Sequence, residues 1–152
     1  FLIKYWMKNN ILIQSIESTK EHKKKYFFIF GVASAIFLIL HSVFLGIKFE
    51  MDLYKFFRRF LLLSFIIFEI VAQVLLVINI IKIKEKIDNI VNKRILFLKV
   101  VLVSILSIVA IISIPIITTE GSVYFKHALE WNYFVGIVTF YFLSFLFWKK
   151  TT

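Results

Sequence analysis

The chain contains no cysteine, one proline and four glycines in 152 residues. Without cysteine there are no disulfides, thiolate metal sites, haem-attachment motifs or cysteine nucleophiles. So little proline and glycine leaves scant material for the many turns of an all-β fold. Charge is scarce as well, at 18% of residues, and it stands in clusters between long apolar runs. A soluble domain of this length buries only about two-thirds of its chain surface, so it needs polar residues to cover the rest.

What is plentiful is apolar. Hydrophobic residues make up 61% of the chain and aromatic residues 18%, with a mean hydropathy of +0.89. Soluble domains run nearer about 45–50% apolar. The composition points to an all-α integral membrane protein. Lys and Arg number 19 against 9 Asp and Glu, for a net charge of +10. In a soluble domain that excess would raise nucleic-acid binding. In a membrane chain it marks the short loops that stay in the cytoplasm, and no nucleic-acid partner is expected.

A helix crosses the ~30 Å hydrocarbon layer with about 20 apolar residues. Four segments meet that requirement, at about 26–47, 60–81, 95–117 and 131–148. They follow Lys20-Glu21-His22-Lys23-Lys24-Lys25, Arg58-Arg59 and Lys93-Arg94 in turn, and the last is stopped by Lys149-Lys150. Most of the Lys and Arg fall before the first span, between the second and third, and after the fourth. The positive-inside rule then puts both ends of the chain in the cytoplasm. Trp131 and Trp148 bracket the last span as interfacial anchors. The expected fold is a bundle of four transmembrane helices, residues 26–152, preceded by an arm at 1–25.

Two segments outside the spans carry patterns of their own. Ile83, Ile87, Ile90 and Val91 recur at helical spacing among Lys, Glu and Asp, which predicts that the second span continues as an amphipathic helix along the membrane surface. The opening residues pass from Phe1, Leu2 and Ile3 into Lys4, Tyr5, Trp6 and Lys8. They match either the cytoplasmic end of a preceding membrane helix, in a chain that begins upstream, or an amphipathic arm on the membrane. A secretory signal would instead have a basic start followed by an apolar stretch.

An ionisable residue inside a span costs free energy and is a functional candidate by default. Counted from the cytoplasmic end of each span, Glu69 lies roughly 20 Å deep and His41 roughly 22 Å deep. A His41–Glu69 contact between neighbouring antiparallel helices is therefore open. Gln73 is one turn from Glu69 on the same face, and Ser107 and Thr139 fall near the same level. The set is either a polar pocket that handles protons or interhelical glue, with Glu69 protonated or paired. Gln73, Ser104 and Ser107 fit glue better. Pro115 should kink or end the third span.

A second cluster is expected toward the outer face. Arg58 and Arg59 enter the second span, Glu130 and Asn132 open the fourth beside Trp131, and His127 is one turn earlier. Guanidinium forks there match a lipid phosphate. Snorkelling arginines and a Glu at a helix N-terminus would give the same pattern. Gly-rich phosphate loops, His-Glu-x-x-His helices and nucleophile elbows are missing from the sequence. His127 would sit about 9 Å above His41, which disfavours a bis-histidine haem site. No Lys lies deep in the final span for a Schiff base, and no polar ring suggests a channel. No catalytic residue, metal or cofactor is assigned.

The stretch Val123-Tyr-Phe-Lys-His-Ala-Leu-Glu130-Trp131, followed by Asn132-Tyr-Phe-Val-Gly-Ile-Val-Thr-Phe-Tyr-Phe-Leu-Ser-Phe, resembles the final transmembrane helix of the Frag1/DRAM/Sfk1 family. In that family an acidic residue followed by an aromatic opens the last span and an aromatic-rich run closes it. The resemblance covers about 25 residues and rests on Glu130 and Trp131. It implies six-helix proteins with both ends cytoplasmic, of which these spans would be the last four, and roles in lipid handling or membrane-lipid organisation. Glu69 and His41 match no family pattern. Membrane lipids are the expected partners. An accessory subunit of a larger membrane complex, touching other transmembrane chains, is the second reading, and a proton-coupled transporter fragment using Glu69 the third.

Overall fold

The computed structural model describes residues 1–16, 26–47, 52–87, 91–118 and 123–147. The basic block Lys20 to Lys25, Ile90, Trp148 and the Lys149-Lys150 stop lie outside the described residues. The elements are α1 (Leu2–Ile16), α2 (Tyr26–Leu45), α3 (Asp52–Lys82), the single turn α4 (Lys84–Ile87), α5 (Lys93–Thr118) and α6 (Val123–Leu146). The described residues contain no strand. Four stretches are long and apolar enough to cross a membrane: Tyr26–Leu45, Phe56–Lys82, Lys93–Ile112 and His127–Leu146. Each overlaps one of the four spans expected from the sequence. A helix satisfies its own backbone N–H and C=O groups, and hydrocarbon offers them no other partner.

Several boundaries differ from expectation. Helix α5 runs past Pro115 to Thr118, so the proline does not end it. Helix α6 begins at Val123, seven residues before Glu130, which removes Glu130 from the N-terminal turn where the helix dipole would favour it. Helix α3 stops at Lys82 rather than continuing unbroken, and among the described residues the single turn α4 follows it. Lys82 and Lys86, both exposed, carry like charges four residues apart, a spacing that disfavours helix at this junction. Ile83, Ile87 and Val91 are buried within the protein.

The chain divides into two compact units, Phe1–Ile83 and Lys84–Thr152. In the first, α2 and α3 form an antiparallel hairpin. Phe68 stacks on both Phe30 and Phe37, with ring centroids 5.5 and 5.3 Å away. Phe44 meets Phe57 edge to face at 5.3 Å, and the Tyr54 hydroxyl reaches the carbonyls of Phe44 and Ile47 at the turn. Helix α1 docks on α2 through Trp6, which is fully buried against Phe27 and Gly31. A Cβ on Gly31 would stand 2.3 Å from the indole, so this contact requires glycine.

In the second unit α5 and α6 also pair antiparallel. Asn92 caps α5 by accepting from the Arg94 N–H at 3.1 Å, while its own N–H donates to the Phe147 carbonyl at 3.0 Å. Leu96, Lys99, Val103 and Leu106 form the buried stripe of α5, and Leu129, Tyr133, Ile137 and Phe140 that of α6. Gly136 admits the Leu106 side chain, whose Cδ2 lies 2.5 Å from where a Cβ would be.

The two glycines predict opposite outcomes. Alanine gains about 1 kcal/mol of helix propensity at either position. At Gly136 the obstacle is the rotatable end of a leucine, so Gly136→Ala should be near neutral. At Gly31 it is a rigid indole, and overpacking of about 1–3 kcal/mol should outweigh the propensity gain. Thermal unfolding of the two variants in detergent checks this, and equal midpoints would contradict it.

Candidate functional site

Helix α2 presents Phe27, Gly31, Ser34 and Ala35 on one buried face, and the small residues let its neighbours come close. Ser34 there meets Glu69 of α3. The Ser34 hydroxyl lies 2.6 Å from Glu69 Oε2 and 2.8 Å from the Gly31 carbonyl. Gln73, one turn along α3, donates from Nε2 to Glu69 Oε1 at 3.0 Å. Ser34, Glu69 and Gln73 are all fully buried. Gln73 Oε1 is buried and has no hydrogen-bond partner.

The expected Glu69–Gln73 association is present, whereas His41 is not part of it. His41 Nδ1 lies 3.2 Å from the Arg58 carbonyl, toward the α2–α3 turn. Glu69 meets α2 at Ser34 instead, about two turns from His41. The rotation of α2 decides this, because it turns its small-residue face to α3 at that depth. Ser107 belongs to the second unit, where its hydroxyl donates to the Val103 carbonyl at 2.8 Å. Ser34 was overlooked in the sequence because a serine among Gly31, Ala33 and Ala35 reads as a packing residue.

The residues of the expected outer cluster divide between the units. On α3, Arg58 is half-buried and Arg59 exposed. On α6, His127 Nδ1 lies 3.4 Å from Glu130 Oε2, one turn on. Asn132 turns back to donate to the Ala128 carbonyl at 2.9 Å. Trp131 is 69% exposed and packs edge to face on Phe134. His127, Glu130, Trp131 and Asn132 thus form an amphipathic patch in the early turns of a membrane-length helix.

Lys99 is a further ionisable residue that sequence reasoning missed. It is 1% exposed, and its Nζ stands 4.4 Å from the centroid of Phe140 and 5.0 Å from that of Phe147. The signal was legible: Lys99 lies within the third apolar run and takes a place in the stripe of Leu96, Val103 and Leu106. Among the described residues, no group of three or more His, Asp or Glu could hold a metal ion.

Two aromatic faces contribute about 0.5–2 kcal/mol to a buried cation. Burying the ammonium costs several kcal/mol. Lys99→Met keeps most of the length of the side chain and removes the ammonium, so it should unfold at a temperature equal to or above that of the wild type. A fall of several degrees would mean that the ammonium is a net stabiliser.

No protein-family model, curated protein or solved structure matches this chain.

Proposed function

We propose that this chain is a multi-pass membrane protein that handles or organises lipids, with headgroups contacted by the patch on α6. The observation that supports this best is the exposed His127–Glu130 pair beside the exposed Trp131 indole. Together they offer a carboxylate, an imidazole and an amphipathic ring at one helix end. Such groups suit the membrane–water interface, where Trp and polar side chains meet headgroups. Arg58 and Arg59 on α3, in the other unit, would offer guanidinium contacts to lipid phosphate in their own right. The resemblance of the Glu130-Trp131 region to the Frag1/DRAM/Sfk1 family supports the same reading. No catalytic step is assigned.

An accessory-subunit role is the second reading. It is favoured by the bareness of two spans, since only 17% of the α2 span and 22% of the α5 span are buried, against 56% of the α3 span. Ile36, Ile39 and Val43 of α2 and Phe97, Ile105 and Ile108 of α5 are all exposed. Lipid or neighbouring helices could cover them.

In this proposal both chain ends face the cytoplasm. Because the chain has no cysteine, single Thr152→Cys and Gly121→Cys variants report sidedness to an impermeant thiol reagent. Gly121→Cys should label in intact cells and Thr152→Cys only after permeabilisation; the reverse pattern contradicts the orientation.

Lipid carried through purification tests the function. Native mass spectrometry of Glu130→Ala and of Arg58→Gln with Arg59→Gln should find retained phospholipid reduced about two- to tenfold, as for the loss of net hydrogen bonds of about 0.5–1.5 kcal/mol each. Unfolding temperatures should stay unchanged. Undiminished lipid, or purification in fixed stoichiometry with a much larger assembly, favours the subunit reading instead.

A further inference from the structure

Helix α1 divides its residues between two faces. Trp6 and Ile13, seven residues apart, are buried, and Trp6 seats the helix on Phe27 and Gly31 of α2. Lys4, Lys8, Ile11 and Ser15 follow at the i, i+4, i+7 and i+11 spacing of a single stripe on the opposite face, and all four are exposed. With Met7 and Leu12 they line an open groove of about 440 Å³ along the helix. Ser15 turns its hydroxyl back to the Leu12 carbonyl at 2.8 Å, which leaves the two ammonium groups as the charged end of the groove.

Nothing acidic on the helix matches that charge. Helix α1 contains no Asp or Glu, and the nearest carboxylate along the chain, Glu17, comes nine residues after Lys8. Like charges four residues apart repel, and an anion set between them removes the repulsion. The anchor fixes the depth. Gly31 is five residues beyond Tyr26, so Trp6 docks about 7–8 Å inside the end of a membrane-length helix. That is near the boundary between hydrocarbon and headgroups, within the reach of a lysine stem.

We propose that this groove holds one acidic phospholipid, its phosphate between Lys4 and Lys8 and an acyl chain along Met7, Ile11 and Leu12. A phospholipid supplies both the anion and the apolar length that the groove offers. Lysine binds phosphate as a point charge. A zwitterionic lipid would bring a cation of its own toward the two lysines. An acidic peptide would match the lysines but not the apolar floor. In the proposed orientation the groove lies at the cytoplasmic leaflet, where acidic lipids attract basic segments. The site belongs to the first unit, goes beyond the headgroup contacts proposed for α6 and does not depend on them.

The test uses the full chain in vesicles, with a bimane label on Ser15→Cys, a single cysteine in a chain that has no other. The substitution leaves both lysines and the apolar lining in place. Phosphatidylserine brominated on its acyl chains is titrated into phosphatidylcholine vesicles in one arm, and brominated phosphatidylcholine in the other. Bromine quenches bimane on close approach, so the signal reports lipid in the groove itself. Each lysine should lower the mole fraction of phosphatidylserine needed for half-quenching by about fivefold relative to phosphatidylcholine. Lys4→Gln with Lys8→Gln should bring the two lipids to parity, and each single substitution should fall between. Lys82→Gln with Lys86→Gln, an exposed basic pair elsewhere in the chain, should leave the preference unchanged. Equal quenching by the two lipids in the labelled parent overturns the proposal, as does a preference that survives Lys4→Gln with Lys8→Gln. Quenching by neither lipid also overturns it and gives the groove to water or to another chain. Both leaflets carry the same lipids and the α6 patch is unaltered, so no outcome turns on the orientation or on that patch.

Discussion

The hydrogen bond between Ser34 and Glu69 sets the terms on which the first unit is built. A carboxyl group in the interior of a membrane-length helix has no water to turn to, and its placement is tolerable only where neighbouring polar atoms meet it. Ser34 supplies a hydroxyl from α2 and Gln73 an amide from the next turn of α3. For the hydroxyl to reach, the two helices must lie close together at that depth. Ser34 and Ala35 on the buried face of α2 are small enough to leave the room, while Gly31 on that face admits Trp6 of α1. The Phe30–Phe68–Phe37 stack and the Tyr54 contacts at the turn then fix the register on either side.

Close approach of helices recurs as the organising device, each time through a small residue facing a large one. Trp6 lies on Gly31, and Leu106 lies against Gly136. In lipid there is little hydrophobic force between helices, so packing of this kind and interhelical hydrogen bonds carry the association. Lys99 is the exception, a cation set in an otherwise apolar stripe and held beneath Phe140 and Phe147. The Asn92 cap and its tie to the Phe147 carbonyl hold that end of α5 and α6 together.

The helical architecture was legible because one-dimensional information suffices for it. A run of about 20 apolar residues has one stable form in hydrocarbon, and the spans emerge within a few residues of where the sequence put them. Side-chain partners needed more. Depth alone made His41 and Glu69 neighbours, but depth does not fix the rotation of a helix about its axis. The small-residue face of α2 turned Ser34 toward Glu69 and left His41 at the Arg58 carbonyl. Lys99 could have been read from its place in the apolar run, and the contrast with the flanking basic residues concealed it. The His127–Glu130 pair was visible as a spacing of three, and a signal for the earlier start of α6 was there too, since Ser122, a favoured capping residue type, stands just before Val123 in the sequence.

The central claim is that Ser34 and Glu69 hold α2 against α3 as an interacting pair. A double-mutant cycle of Ser34→Ala and Glu69→Leu, read by equilibrium unfolding in detergent micelles, measures their coupling, because each change removes one partner of the hydrogen bond. The account predicts a coupling of about 0.6 kcal/mol or more, up to about 1.7, the average and the maximum found for interhelical hydrogen bonds in a membrane protein. Strictly additive effects of the two substitutions would contradict it.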